Sequence, residues 1–176
     1  MACDINLGRL EPCKDSVGGI IAIYINGAYT SGLLDTATIT DGEVTAFASP
    51  LTFYKFDLKG ANGFEQTNEN SRENGTSFWT QTGTVVLKKQ DKTTTAQMKL
   101  LSYGRPQIIV QDYNGNYYLA GIENGCEVAV NTATGTGMGD LNGYNLAITG
   151  TEKSPANFVD FAAMVTAADI VVVPGA

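Results

Sequence analysis

The chain has 176 residues, 43% of them hydrophobic but only 16% charged, with 20 glycines and no histidine at all. That length suits one domain that buries a continuous core without disulfide or metal staples. Its 18 acidic residues against 11 basic ones give a net charge of −7, and the scattered Lys and Arg exclude a surface built to grip phosphate.

The start of the chain, Met1-Ala-Cys-Asp-Ile-Asn-Leu-Gly-Arg9, lacks the basic-then-apolar pattern of a signal peptide, and no apolar run approaches a membrane span. A soluble protein without a membrane anchor is expected, so the sequon Asn74-Gly-Thr76 reads as a turn. The cysteines Cys3, Cys13 and Cys126 are odd in number and widely spaced. They read as free thiols of a reducing compartment rather than as a Cys3–Cys13 bridge.

Residues 1–17 are polar and irregular and are expected to form an arm, with residues 18–176 as a single β-rich domain. Ile20-Ile-Ala-Ile-Tyr-Ile25 is a β-branched run closed by Asn26-Gly27, the pattern of a strand buried on both faces. Residues 30–42 are small and polar. Residues 43–48 and 51–58 are strand-like and are split by Ser49-Pro50. In the second, Leu51, Phe53, Lys55 and Asp57 alternate with Thr52, Tyr54, Phe56 and Leu58, which predicts a half-buried strand.

Gly60-Ala-Asn-Gly63 is a turn. From Phe64 to Asn74 the chain carries Glu65, Glu69, Arg72 and Glu73 with almost nothing to bury, and residues 76–89, with Phe78 and Trp79, are strongly β-prone. The pair predicts a long hairpin over residues 63–89 that projects beyond the core and needs neighbours, because two strands alone bury too little. A helix is predicted over 91–103, capped by Asp91 or Thr93, with Ala96, Leu100 and Tyr103 facing inward beside Met98 and Leu101, and stopped by Gly104-Arg-Pro106.

Residues 107–112 and 117–122 flank Asn114-Gly115, a strong hairpin signal. Glu123-Asn-Gly125 turns into a strand at Cys126-Glu-Val-Ala-Val130. A Thr/Ala/Gly loop at 132–139 precedes another strand at 143–149. After Ser154-Pro155, residues 158–168 are weakly helical and Asp169-Ile-Val-Val-Val173 reads as a last buried strand.

The absence of histidine removes the commonest general base and metal ligand. Cys126 sits in an apolar strand pattern, where thiols are inert. Asp112-Tyr-Asn-Gly-Asn116 and Asp140-Leu-Asn142 offer oxygens, but such clusters are turn formers first and lack the closing Glu of a calcium loop. Gly135-Thr-Gly-Met-Gly139 lacks the Lys-Ser/Thr ending of a phosphate loop. No catalytic residue, cofactor or metal is expected.

Taken in order, the polar acidic arm at 64–74, the strand at 76–89, the Thr-rich helix ending at Leu100-Leu101, Ile108-Ile-Val-Gln-Asp-Tyr-Asn-Gly-Asn-Tyr-Tyr-Leu-Ala-Gly121 and Gly139-Asp-Leu-Asn-Gly-Tyr-Asn-Leu-Ala-Ile-Thr-Gly-Thr-Glu152 resemble the tail tube proteins of tailed bacteriophages. The resemblance covers residues 63–152. It implies an antiparallel β-sandwich or partial barrel with one packed helix, made in the bacterial host cytoplasm and built into the virion. Six subunits would close a ring whose strands join into one inner barrel, and rings would stack into a tube with other tail or neck proteins. The hairpin would line the lumen or reach the next ring, which makes Glu65, Glu69, Arg72, Glu73, Phe78 and Trp79 the assembly and lumen candidates. An acidic lumen would let DNA pass during ejection without adhering. The alternatives are another virion subunit (a head–tail connector ring, a capsid decoration or a head-fibre protein) and a glycan-binding sandwich using Trp79, Tyr113, Tyr117, Tyr118 and Tyr144.

Overall fold

The computed structural model describes residues 7–175. The β-branched run Ile20–Asn26 forms strand β1, flanked by antiparallel neighbours β4 (Leu51–Asp57) and β7 (Ile108–Asp112). Outward from these lie β8 (Tyr117–Ala120), β11 (Asn157–Val159), β3 (Glu43–Ala46) and β2 (Thr38–Thr40) on one side, and β12 (Ile170–Val173) on the other. Together they make an eight-stranded sheet in the order β12-β4-β1-β7-β8-β11-β3-β2. A second sheet holds β5 (Gly63–Ser71), β6 (Thr76–Lys88), β10 (Gly143–Glu152) and β9 (Cys126–Ala133), in the order β5-β6-β10-β9. The fold is a mainly β sandwich, the class the resemblance implied.

The two sheets close over one apolar layer. Ile23, Ile25, Ile108 and Val110 of the large sheet meet Val85, Val128, Tyr144, Leu146 and Ile148 of the small one. The opposite face of the large sheet buries Tyr24, Phe53, Ile109 and Leu119 under Leu33, Phe47 and Met164. Strands β1 and β7 are therefore sandwiched on both faces, which explains why their sequences run apolar instead of alternating. Burying each such side chain contributes about 1.5–3 kcal/mol.

The small sheet borders only one layer, and the alternation is clearest on its inner strand β10. On β10, Tyr144, Leu146, Ile148, Gly150 and Glu152 are buried, and Ala147, Thr149 and Thr151 are exposed.

Helix α2 (Lys92–Leu101) begins where Asp91 accepts a hydrogen bond from the Thr94 N–H at 2.7 Å. The inward face differs from the expected one. Met98 is 2% exposed and Leu101 packs on the core, whereas Ala96, Leu100 and Tyr103 face solvent. The helix touches the sandwich along a narrow line of Thr94, Met98 and Leu101, which are also spaced i, i+4, i+7. Both stripes fit the period, and the tie at Tyr144 selects between them. Its buried ring ends in a hydroxyl that donates to the Asp91 carbonyl at 3.0 Å and lies 2.6 Å from Thr95 Oγ1, which fixes the helix rotation.

Other departures are local. The polar stretch 30–42 holds a one-turn helix α1 (Leu33–Thr36) and strand β2, anchored by buried Leu33. Residues 157–168 divide into strand β11 and helix α3 (Phe161–Thr166), because Asp160 caps the helix at Ala163. Among the described residues, α1 and α3 are short helices that accompany the packed helix α2. Strand β12 pairs in parallel with β4 at the sheet edge, so only Ile170 is buried, and Val171 and Val173 are 45% and 37% exposed. Strand β11 pairs in parallel with β3.

Residues 7–17, the described part of the expected arm, form no regular element and are exposed, and the Asn114 side chain clasps their end by accepting from Val17 N–H at 2.9 Å and donating to Val17 O at 2.8 Å. Cys3 lies outside the described residues. Among the described residues, no helix is long and apolar enough to cross a membrane.

The helix rotation gives a direct test. Met98→Ala is expected to cost about 2–4 kcal/mol in a denaturant titration, and Leu100→Ala less than about 0.5 kcal/mol. The reverse order would contradict the placement.

Candidate functional site

The hairpin β5–β6 is the longest element, and its environment changes along its length. Strand β6 pairs with β10 from Lys88↔Gly143 down to Trp79↔Glu152, so one flank of β6 is covered that far. Below Trp79 only the two strands remain, from Glu69↔Phe78 to Ser71↔Thr76, and the turn at 72–75 is fully exposed. The predicted hairpin is present, but most of it is built into the small sheet and only its end is unsupported.

Cross-strand register defines the outward face of that sheet. One row runs Glu65–Thr82–Thr149–Glu127 across all four strands. The row beside it is Thr67–Thr80–Thr151, and on the other side lies Gly63–Thr84–Ala147–Ala129. Glu69 and Phe78 pair beyond these, and Glu69 accepts a hydrogen bond from the Thr80 hydroxyl at 2.9 Å. The face is a carpet of threonines carrying three glutamates, with Lys88 at its far end.

Of the residues singled out in the sequence, Glu65, Glu69 and Phe78 share this face, and Arg72 and Glu73 sit in the exposed turn. Trp79 points to the opposite side, half-buried beside Glu152. Glu127 and the threonine rows were missed. The signal that could have found them is the run of alternate threonines at 80, 82 and 84, repeated at 149 and 151, which reads as the solvent side of paired strands.

Edges distinguish the two sheets. The large sheet ends in β2 and β12, three and four residues long, and Pro174 stops β12. Short edges and Pro blunt unwanted pairing. The small sheet ends in β5 and β9, nine and eight residues long. Neither carries a proline. They are the long edges among the described residues, open except where the first edge amide of β9, Cys126 N–H, donates to the Pro106 carbonyl at 2.9 Å.

The tight turn that brings the chain from the large sheet to β9 is held from inside by Glu152. Its carboxylate, 2% exposed, accepts hydrogen bonds from Asn124 N–H at 2.8 Å and Glu123 N–H at 3.1 Å. Gly121 and Gly125 have positive φ, and a Cβ on Gly125 would stand 2.3 Å from the Arg105 carbonyl, so this turn requires glycine. Glu123 pairs with Lys153 at 2.9 Å. Cys126 follows at once, fully buried, and burial pushes its thiol up to about 12, the property of an inert core cysteine.

Aromatic side chains do not gather into a platform. Tyr144 is buried, Tyr117 stacks on Phe161 with centroids 4.4 Å apart, and Tyr118 packs against Phe158. Asp112 is occupied by its own turn. Burial favours its neutral form, but hydrogen bonds from Asn116 and Asn114 outweigh that and hold the carboxyl below its ordinary value. Among the described residues, no three acidic or cysteine side chains converge to hold a metal ion. No protein family, curated protein or solved structure matches the chain.

Burial raises the Glu152 carboxyl above its ordinary 4.5, and the N–H groups of Asn124 and Glu123 offset this only in part. A raised folded value means that its contribution to stability is complete below about 4.5 and is lost as pH rises through the folded value. Glu152→Gln keeps the acceptor and removes the charge. Its melting temperature is expected to lose the decline that the wild type shows over the pH range just above 4.5. An unchanged pH profile would contradict this assignment.

Proposed function

We propose that the chain is a structural subunit that closes into rings through the edges of its small sheet, and that the rings form the tail tube of a bacteriophage. The observation that carries this reading is the pair of long open edges on one four-stranded antiparallel sheet. Strand directions alternate across β5-β6-β10-β9. With an even number of strands, β9 of one copy runs opposite to β5 of the next copy related by rotation about an axis along the strands. The antiparallel alternation then continues from copy to copy without a break, and a closed ring leaves no edge.

Closure would put one face of every small sheet inside. The buried face is committed to the sandwich core, which leaves the Thr/Glu carpet as the lining on whichever side the sheet curves. Threonine hydroxyls keep such a wall wet, and Glu65, Glu69 and Glu127 repel phosphate. A channel with these groups would let a DNA duplex slide without the counterion-releasing contacts that make it adhere. Six copies per ring, as the resemblance implies, and tail or neck proteins as the partners complete the proposal. A glycan-binding module finds less support, since the aromatic side chains it would need are dispersed or packed inside.

Cysteine pairs test the edge contact. In a Cys3→Ser, Cys13→Ser background, which leaves only the buried Cys126, Thr67→Cys on β5 is combined in turn with a cysteine at Glu127, Ala129 or Asn131 on β9. All four positions lie on the outward face. Mild oxidation is expected to give at least one combination a ladder of covalent oligomers ending at the ring size, with hollow rings or tubes in negative-stain images. Absence of cross-linking in all three combinations, with monomers in the images, would overturn the reading.

A further inference from the structure

Asparagine stands directly before glycine at Asn26, Asn62, Asn74, Asn114, Asn124 and Asn142. Glycine has no side chain to shield its backbone nitrogen, so in this dipeptide the nitrogen can turn back on the asparagine. It attacks Cγ, the side-chain amide leaves as ammonia, and a succinimide ring closes. Water then opens the ring to aspartate or isoaspartate. The attack needs an untied side-chain amide and a glycine N–H free to swing toward it.

The fold denies one or both freedoms at most of these pairs. Asn26 and Asn62 are each 6% exposed, with Asn26 donating to Gln107 Oε1 at 3.0 Å and Asn62 accepting from Val86 N–H at 2.7 Å. Asn114 is tied through both side-chain atoms to Val17, and Gly115 N–H donates to the Asp112 carbonyl at 3.4 Å. Asn124 donates to the Thr151 carbonyl at 2.9 Å, and Gly125 N–H donates to the Gly121 carbonyl at 3.0 Å. Asn142 has an exposed side chain, but its glycine is locked. Gly143 is buried at the start of β10, paired with Lys88 on one side and Ala133 on the other, and the Leu87 carbonyl fills the space of its missing Cβ.

Asn74 differs on each count. It lies in the exposed turn 72–75 that joins β5 to β6, where no third strand supports the pair. Its backbone N–H donates to Ser71 Oγ at 3.3 Å. Among the described residues its side chain forms no hydrogen bond, and Gly75 N–H donates to no carbonyl. Opening this turn breaks no contact with the core, which places it at the low end of local stability.

We propose that Asn74 is a self-modifying site, converting to aspartate or isoaspartate in the folded chain while the other Asn-Gly pairs persist. The conversion needs no partner and proceeds whether or not rings form. Its product sets a new carboxylate beside Glu73, in a turn whose only cation is Arg72. Isoaspartate also routes the backbone through the former side chain and lengthens the turn by one methylene. An aged subunit therefore differs from a fresh one at the hairpin end, in charge and in turn length.

Peptide mass spectrometry tests this. The dilute folded chain is incubated in heavy-oxygen water at mildly alkaline pH, where the Gly75 nitrogen more readily loses its proton, and is then digested in ordinary water. Only conversion before digestion carries the heavy oxygen. Asn74 is expected to convert about tenfold or more faster than any other Asn-Gly pair, because it alone reacts without first breaking a tie to the fold. In urea, with the fold gone, the pairs are expected to convert at similar rates. Asn74→Gln, whose longer side chain closes its ring slowly, is expected to lose the signal at this position and keep the others unchanged. No heavy oxygen at Asn74, or another pair converting as fast in the folded chain, would overturn the proposal. The same preference for Asn74 in urea would overturn it too, since local sequence and not the fold would then select the site.

Discussion

Backbone N–H and C=O groups along the edge of a strand are fixed hydrogen-bonding groups, and a long, regular edge presents them as a template for another strand. This chain handles its two sheets in opposite ways. The eight-stranded sheet is finished, with edges of three and four residues, one stopped by proline. The four-stranded sheet ends in strands of nine and eight residues, and the layer between the sheets supports them up to the Trp79–Glu152 pair.

Support comes from the layer between the sheets. Tyr144, Leu146 and Ile148 of β10 reach into it, and β10 is the spine on which both β6 and β9 hang. Glu152, at the end of the same strand, grips the turn through which the chain enters β9. A carboxylate buried at 2% exposure is expensive unless hydrogen-bonded. Here its partners are the backbone donors of a turn that would otherwise be loosely held. Placement of the edge strand β9 thus depends on a polar contact inside the sandwich, at the base of the unsupported hairpin end. The edge strand β9 and the core are coupled through one side chain.

Much of this was legible in the residues, and the misses have physical causes. Ile20 to Ile25 and Ile108 to Val110 announce strands buried on both faces because nothing polar interrupts them. Asn114-Gly115 marks its hairpin because that turn needs residues that tolerate positive φ. The face of α2 was misread because Ala96, Leu100 and Tyr103 share the spacing of Thr94, Met98 and Leu101. The choice between them rests on Tyr144, forty-odd positions away. Strand β11 was obscured, and β12 was recognised as a strand but read as fully buried, for a similar reason, since parallel pairing with β3 and β4 is a long-range contact with no local signature. The polar run 64–74 was recognisable as one arm of a hairpin with little to bury. That β10 would cover β6 as far as Trp79, and that Glu127 would join Glu65 in one row, depended on a register set by four strands together.

The central claim is that β5 and β9 are unfinished edges completed by other copies of the chain. Amide hydrogen exchange, measured strand by strand in dilute and in concentrated protein, tests it most directly. If other copies complete these edges, the outward amides of Gly63–Ser71 and of β9 beyond Cys126, whose N–H already donates to Pro106, exchange quickly when dilute and become protected on concentration, while Thr38–Thr40 and Ile170–Val173 do not change. Exchange that is independent of concentration in all four strands, or protection appearing at β2 and β12 in their place, would contradict it.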